Sequence, residues 1–244
     1  MQFFSYLING ISLGSVYALI ALGYTMVYGI AKMLNFAHGD VIMIGSYVVY
    51  FAFGASGLNP VLSIVLSMIV CTILGVVIER LAYRPLREAP SLAVLITAIG
   101  VSYLLQQVAQ LSWSSNPKSF TSVVSGMKPV SLFGGQLTIS AETIVTIVAC
   151  VVIMVVLMWF VNYTPAGHAM LAVSEDRGAA QLMGVNVNGT ISLTFAIGSA
   201  LAAIAGALLC SSYPTLQPTT GAMPGIKAFV AAVFGGIGSI PGAF

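Results

Sequence analysis

Long apolar runs recur along the whole chain, and they constrain its fold more than any other feature. A transmembrane helix needs about 20 predominantly apolar residues, and the runs reach or approach that length. They lie near residues 7–31, 41–56, 60–83, 91–111, 141–162, 191–213 and 226–244. Only 6% of the 244 residues are charged, against about a quarter in soluble domains. The sequence therefore predicts an all-α polytopic membrane protein with about seven spans.

Two longer polar connections, residues 112–140 and 163–190, indicate the orientation of the chain. Lysine and arginine favour the cytoplasmic side, and their densest cluster is ERLAYRPLR at residues 79–87. With that cluster inside, 163–190 is cytoplasmic, 112–140 is an outer loop and the N-terminus lies outside. The inner basic residues are then Lys32, Arg80, Arg84, Arg87 and Arg177, and the outer ones are Lys118, Lys128 and Lys227.

The last apolar run is still open at Phe244, after GGIGSIPGAF. A span that stopped there could not satisfy its backbone in lipid, so we expect the protein to continue for one or more further spans. Four glycines within residues 235–242 allow either close helix packing or a break in the helix, and Pro241 favours a break.

A polar cluster, MLNFAHGDVIMIG, stands between the first two apolar runs. Asn35, His38 and Asp40 fall within six positions there, with Gly39 among them. Polar groups at membrane depth are costly and usually face a cavity or a protein partner. Non-helical backbone is tolerated there on the same condition. The cluster predicts either a broken second helix that lines a solute pathway or an interfacial turn whose His38 and Asp40 are solvated.

Residues for catalysis, metal binding or ATP hydrolysis are sparse. His38 and Asp40 have no evident nucleophilic partner, which disfavours an intramembrane enzyme, and they make a poor proton relay. The other acidic candidate, Glu79, is expected to form an interfacial ion pair with Arg80. The three cysteines have neither zinc-type nor disulfide spacing, and no GxxxxGK[ST] loop occurs. We expect no catalytic residue, metal ligand or cofactor in this chain.

The charged stretch VSEDRGAAQLMG, residues 173–184, is unusual in a chain that otherwise avoids charge. Before it, the Thr-Pro pair at 164–165 indicates a helix start, with threonine as N-cap and proline at the first helical position. Ser174 is followed by two acidic residues, which are favoured in a first turn, so it indicates a second helix start. The sequence thus predicts two short helices in the cytoplasmic connection.

Small residues on the second of these helices suggest a docking surface. Asp176, Ala180 and Gly184 fall at i, i+4 and i+8, which would place them along one helical face. Small side chains there would let another protein approach the backbone closely. We expect docking at this face, bordered by Glu175, Asp176 and Arg177, although a solvated loop that merely joins two spans is the alternative.

Six stretches of the chain resemble the membrane-spanning permease of branched-chain amino acid ABC importers, of the first of its two related types. They are NGISLGSVYALIALGYTMVYGI, NFAHGDVIMIGSY, ERLAYRPLR, LITAIGVSYLLQ, SEDRGAAQLMGVN and KAFVAAVFGGIGSIPGA. The resemblance implies a bacterial inner-membrane assembly with a second permease subunit, two cytoplasmic ATPase subunits and a periplasmic or lipid-anchored solute-binding protein. It implies that ATP and Mg²⁺ are bound by the ATPase subunits and not by this chain.

The resemblance also implies roles for particular residues. The substrate pathway would include Asn35, Ala37, His38, Gly39 and Asp40. Residues 178–184 correspond to the EAA-x-x-x-G segment that seats in the ATPase, with Gly178 in place of the leading glutamate. The ATPase contact would involve Glu175, Asp176, Ala179, Ala180 and Gly184.

The solute is not defined by these residues, because selection would rest mainly with the binding protein. Branched-chain amino acids are the first expectation. Urea or short-chain amides, carried by related permeases, are an alternative, as is a secondary transporter driven by an ion gradient. In the ATP-driven case, movement of the cytoplasmic helix would rock the adjoining spans and alternate access to a central pathway.

Overall fold

The computed structural model describes residues 2–124, 129–132 and 137–243, and most of these residues are helical. In chain order the helices are α1 (Gln2–Ala31), α2 (His38–Val49), α3 (Pro60–Ile78), α4 (Ser91–Trp113), α5 (Ala141–Tyr163), α6 (Pro165–Glu175), α7 (Arg177–Leu182), α8 (Val187–Ser212), α9 (Ala222–Gly235) and α10 (Ile240–Ala243). A π-helical turn, Tyr50–Ala55, prolongs α2. A π-helical turn, Glu79–Tyr83, and a 3₁₀ turn, Arg84–Leu86, prolong α3. The predicted all-α polytopic membrane fold is confirmed.

Five helices in the described part of the chain, α1, α3, α4, α5 and α8, are long and apolar enough to cross a membrane. They overlap five of the predicted spans. The range 41–56 instead lies in α2 and its π-helical turn. The range 226–244 is not one helix, because the chain leaves α9 at Gly236, whose φ is +92°, and resumes helix only at Ile240. The break occurs at the glycines and just before Pro241.

Helices α1 and α8 form the centre of the molecule. In the most apolar 18-residue stretch of each helix, about 67% of α1 and 72% of α8 is buried. The corresponding share is 17–28% for α3, α4 and α5. Small residues allow α8 to pack closely: a Cβ added to Gly206 would lie 2.6 Å from the Ile42 carbonyl oxygen of α2. The outer three helices expose their apolar side chains, as lipid-facing or subunit-facing helices do.

Two short antiparallel β-ribbons lie at the end of the molecule where α4 and α8 finish. β1 (Lys118–Ser119) pairs with β4 (Thr215–Leu216), and β2 (Val130–Leu132) pairs with β3 (Leu137–Ile139). The first ribbon ties the predicted outer loop 112–140 to the chain that leaves α8. Leu216 is fully buried beside Met43 and Tyr47 of α2, so the chain folds back toward the centre before α9 begins.

Candidate functional site

The polar cluster between α1 and α2 is buried inside the helix bundle. Asn35, His38 and Asp40 are each at most 4% exposed. The Asn35 Oδ1 accepts a hydrogen bond from Tyr83 Oη at 2.8 Å, and Asp40 Oδ1 accepts one from Gln106 Nε2 at 2.8 Å. Burial of this extent contradicts the interpretation of a solvated interfacial turn.

His38 lies well inside the bundle, not at the end of α1. Its imidazole packs against Tyr24, with ring centroids 4.7 Å apart, and lies directly against Gly23. Gly23 precedes the end of α1 by eight residues, which is about 12 Å of helix. The non-helical segment 32–37, where Lys32 has a φ of +52°, therefore turns back along α1 before α2 starts. The predicted break in the helical path lies at this segment, before α2.

Glycine residues form the contact between the first turns of α2 and α9. A Cβ on Gly39 would lie 2.6 Å from the Gly221 carbonyl oxygen, and one on Gly225 would lie 3.0 Å from Gly39 Cα. Side chains larger than hydrogen cannot enter this contact without moving the backbone. Asp40 lies in the first turn of α2, where a carboxylate complements the positive end of the helix dipole.

The five proposed pathway residues thus lie together in one buried layer. Ala37 and Gly39 are as buried as their polar neighbours. One buried polar atom of this layer, His38 Nε2, has no hydrogen-bond partner among the described residues. Unpaired polar atoms are uncommon in a protein interior and suit a region that rearranges or takes up a ligand. The pathway role remains a prediction.

The partners of this layer were not identified from the sequence. Tyr83 lies in ERLAYRPLR, where the basic residues draw attention, and Gln106 lies in the apolar run LLQQVAQ. The signal available in both cases was a polar side chain within or at the end of an apolar helix. Such groups usually have a specific partner at membrane depth.

A cavity of about 490 Å³ lies between α1, α5 and α8, at the end of the bundle predicted to face outward. Its described lining includes three buried hydroxyl side chains, Ser12, Thr143 and Ser211, and the carboxylate of Glu142. Its lining includes Pro214, just before the strand β4 of the first ribbon. This polar recess is suited to admit a small hydrophilic solute.

At the opposite end, the connection between α5 and α8 forms two short helices. Thr164 caps α6, its Oγ1 accepting from Gly167 N at 3.0 Å, as expected from the sequence. Asp176 caps α7, its Oδ1 accepting from Gly178 N at 2.7 Å and from Ala179 N at 3.0 Å. The second helix therefore starts at Asp176 and not at the predicted Ser174, which belongs to α6.

The predicted shared face of Asp176, Ala180 and Gly184 is wrong, because α7 has only six residues. Gly184 lies past its end with a φ of +84°, where the Gly184 and Val185 N–H groups donate to the Gln181 and Ala180 carbonyls. This arrangement is a glycine C-cap. Ala180 is 4% exposed and packs inward. The other predicted docking residues, Glu175, Asp176, Ala179 and Gly184, are exposed.

Two apolar side chains missed by the sequence reasoning dominate the surface of α7. Leu182 is 90% exposed and Met183 is 84% exposed. Exposed apolar groups on a polar connection are typical of a protein interface. The signal was present in the sequence, since these are two large apolar residues side by side between charged and small ones. We call Leu182 and Met183 the α7 tip.

Arginine side chains join α7 and the loop after α3 to the bundle. The Arg177 guanidinium donates to the Ala31 carbonyl at the end of α1, and burial, with a contribution from Arg87, lowers its pKa. Arg87 pairs with fully buried Glu79 and donates to Asn188 at the start of α8. The expected ion pair of Glu79 with Arg80 was wrong, because Glu79 is buried and pairs with Arg87 while Arg80 is exposed.

These contacts bring Lys32, Arg87 and Arg177 around one cavity of about 400 Å³. Three residues that the sequence assigned to the cytoplasmic side therefore lie at one end of the bundle. The end of α1, the start of α8 and α7 meet there. Within residues 2–124, 129–132 and 137–243, no three His, Cys, Asp or Glu side chains form a group suited to a metal ion.

Comparison with known proteins gives a consistent result over nearly the full length. Residues 6–244 match the family described as branched-chain amino acid transport system, permease component. The chain is 45% identical to the high-affinity branched-chain amino acid transport system permease protein BraD of Pseudomonas aeruginosa, over 97% of this chain and 80% of that protein. No solved structure matches significantly.

More distant relatives extend the comparison. The chain is 42% identical to the high-affinity branched-chain amino acid transport system permease protein LivH of Escherichia coli K12, over all of this chain and 82% of that protein. It is 27% identical to the ribose import permease protein RbsC of Haemophilus influenzae, over 91% of this chain and 66% of that protein.

Proposed function

Because the chain belongs to the branched-chain amino acid transport permease family, we propose that it is the membrane-spanning subunit of an ATP-driven importer of these amino acids. Such a permease component works with other proteins of its transport system. We assign it, specifically, a second permease subunit, two cytoplasmic ATPase subunits and an external solute-binding protein. In this assembly ATP and Mg²⁺ belong to the ATPase subunits, and the membrane is the bacterial inner membrane.

The solute class is inferred from BraD and LivH, whose names specify high-affinity transport of branched-chain amino acids. The outer cavity near Pro214 offers an entry point for a solute released by the binding protein, since it is polar and lies beside the outer ribbons. Beyond it, the buried layer at Asn35–Asp40 forms a closed barrier. Access through the bundle then requires the contact between Gly39 and Gly221 to separate.

The observation that carries the coupling mechanism is the physical route from the α7 tip to this layer. Leu182 and Met183 are free to enter a groove of the ATPase. Arg177, in the same helix, holds the end of α1 at Ala31, and segment 32–37 follows immediately. A displacement of α7 on ATP binding would therefore pull on the segment that carries Asn35. Alternating access follows if that pull opens the glycine contact.

The test is reconstitution of the complete importer in proteoliposomes with binding protein outside. We expect uptake of labelled leucine, isoleucine and valine that requires ATP in the lumen with the ATPase subunits and does not respond to an ion gradient. Urea and acetamide serve as control solutes. Uptake of leucine by the permease alone under a proton or sodium gradient would reject the ATP-driven mechanism, and transport of only the amides would reject the solute class.

A further inference from the structure

The cavity of about 400 Å³ at the end of α1, which we call the basic cavity, has three positively charged side chains in its lining: Lys32, Arg87 and Arg177. The ion pair found among the described residues joins Arg87 to Glu79, so Lys32 and Arg177 keep their charges unpaired there. Asp176, beside Arg177 in the sequence, is engaged with the N–H groups at the start of α7. An excess of positive charge in a concave site favours an anionic ligand.

Hydrogen-bond donors in the basic cavity also remain available. A guanidinium group has five N–H donors, and Arg177 directs a hydrogen bond to the Ala31 carbonyl with one nitrogen. The Arg87 Nε is buried and has no hydrogen-bond partner among the described residues. Lys32, whose ammonium group has three donors, is exposed. These donors suit a ligand group that carries acceptor oxygens and a negative charge, such as a carboxylate or a phosphate.

The basic cavity shares two walls with the buried layer. Met33 and Leu34 line the cavity and directly precede Asn35 in the chain. The extension of α3 forms the second wall, where Leu86 lines the cavity and Tyr83 donates to Asn35 Oδ1. A change in the position of Asn35 is therefore transmitted directly to the lining of this cavity.

The positions along α1 show the order of the two cavities and the buried layer. The cavity near Pro214 is lined by Ser12, and the basic cavity is lined by Tyr28. Gly23, which His38 of the buried layer contacts, lies between these two residues on the same helix. The basic cavity is therefore the space that follows the buried layer on a route that starts at the cavity near Pro214.

We propose that the basic cavity is the exit site of the solute pathway, where Lys32 and Arg177 bind the carboxylate of the amino acid after it has crossed the buried layer. The Tyr28 hydroxyl is available to its ammonium group. The branched side chain contacts the apolar part of the lining, which includes Met33, Leu34, Leu86 and Val94. Because Lys32 is exposed, its charge is screened by salt and the binding is weak, which permits release. This inference rests on the proposed function, and it assigns the carboxylate-binding residues that the function leaves open.

The first test measures protection of a cysteine that is placed in the lining away from the cations. Ser91 lines the basic cavity and is exposed, so Ser91→Cys in the complete importer should react with a membrane-impermeant thiol reagent. Without ATP, leucine should slow this reaction at least threefold, whereas leucinol, which lacks the carboxylate, should not. The cysteines of the wild-type chain give little background, since they are buried: Cys71, Cys150 and Cys210.

Variants of the cations identify the carboxylate-binding residue. Adding Lys32→Met to Ser91→Cys should abolish protection by leucine, because methionine keeps an unbranched chain but has no charge. Adding Lys32→Arg keeps the charge and should retain most of the protection. Arg84→Met removes an exposed cation that does not line the cavity, so it is the matched control and should leave the protection unchanged.

A second measurement uses transport in proteoliposomes with binding protein outside and the ATPase subunits in the lumen. Leucine preloaded in the lumen should occupy the exit site and slow the initial rate of uptake, and preloaded leucinol should not. For Lys32→Met, the luminal leucine concentration that halves the variant's own initial rate should rise at least fivefold. For Arg84→Met it should change less than twofold.

Equal protection by leucinol, or full protection by leucine after Lys32→Met, would overturn the proposal. The labelling is also compared in phosphatidylcholine vesicles with and without phosphatidylglycerol. Protection that needs phosphatidylglycerol and not leucine would overturn the proposal as well, because a lipid phosphate would then occupy the cavity. Normal leucine uptake without protection of Ser91→Cys rejects the exit site alone. Failure of the wild-type importer to take up leucine, with the protection intact, would instead reject the proposed function.

Discussion

The buried layer at Asn35–Asp40 and the α7 tip are opposite exceptions to their surroundings. The first puts polar groups inside an apolar bundle, and the second puts apolar groups on a polar connection. Most of the polar groups in the buried layer have partners within the same chain, namely Tyr83 and Gln106. The α7 tip is left exposed by the described residues of this chain. The comparison separates a region whose polar groups are mostly satisfied within the chain from a region whose apolar groups are left exposed.

The largest effect is expected at the contact between Gly39 and Gly221, which closes the buried layer. Gly221→Val should prevent the native fold, because its side chain would overlap the Gly39 carbonyl, and overpacking of this severity costs about 3 kcal/mol or more. Thermal unfolding in detergent and the yield of folded protein in the membrane measure the effect. Gly100→Val is the control, since nothing lies within 4 Å of a Cβ there. Equal stability of the two variants would show that the glycine contact is dispensable.

The next effect should appear at the α7 tip and leave the fold intact. Replacing both Leu182 and Met183 by aspartate should reduce co-purification of the ATPase subunits and leucine uptake at least tenfold, because a charged tip cannot enter an apolar groove. Thermal stability should be unchanged, since both side chains are exposed. The swap Leu182→Met with Met183→Leu keeps the tip apolar and should behave as wild type. Normal ATPase binding by the aspartate variant contradicts the docking assignment.

A several-fold effect is expected at the link between the two regions. Arg177→Met removes the hydrogen bond to the Ala31 carbonyl but leaves the α7 tip in place. ATPase subunits should still bind and hydrolyse ATP, while the amount of leucine transported per ATP falls several-fold. Arg80→Met, which alters an exposed arginine, is the control. A variant that loses the ATPase subunits would place Arg177 in docking and not in transmission.

The smallest effect is expected within the buried layer. Tyr83→Phe removes the donor to Asn35 Oδ1 and should destabilise the permease by about 1–3 kcal/mol, the usual cost of leaving a buried acceptor unpaired. Thermal unfolding would detect the loss. Tyr103→Phe alters an exposed tyrosine and provides the control. No difference between them would mean that Asn35 finds another donor.

The sequence predicted the all-α membrane fold well because apolar run length decides which segments can cross a bilayer. It also located the polar cluster at Asn35–Asp40, since charge and amide groups are rare in this chain. It could not show that His38 returns to the level of Gly23, because that depends on the packing of α2 against α1. The Gly39–Gly221 contact joins distant segments, and glycine alone carries no information about its neighbour.

The connection between α5 and α8 shows a different limit. Counting i, i+4 and i+8 assumed a helix long enough to carry that spacing, and Asp176 and Gly184 turned out to be its two caps. Both residue types are known helix-end signals, aspartate at the N-cap and glycine after the C-cap. Given that boundary, a six-residue helix follows, and its exposed end falls at Leu182 and Met183.

The pairing of Gly39 with Gly221 has a consequence for biosynthesis. These glycines are roughly 180 residues apart, which at about 5–20 residues per second is on the order of ten to forty seconds of translation. During that interval α1 and α2 emerge from the ribosome without the segment that covers them. Until the α9 segment is synthesised, the polar first turn of α2 therefore lies in the bilayer without the segment that covers it. An insertase or membrane chaperone would need to shield it.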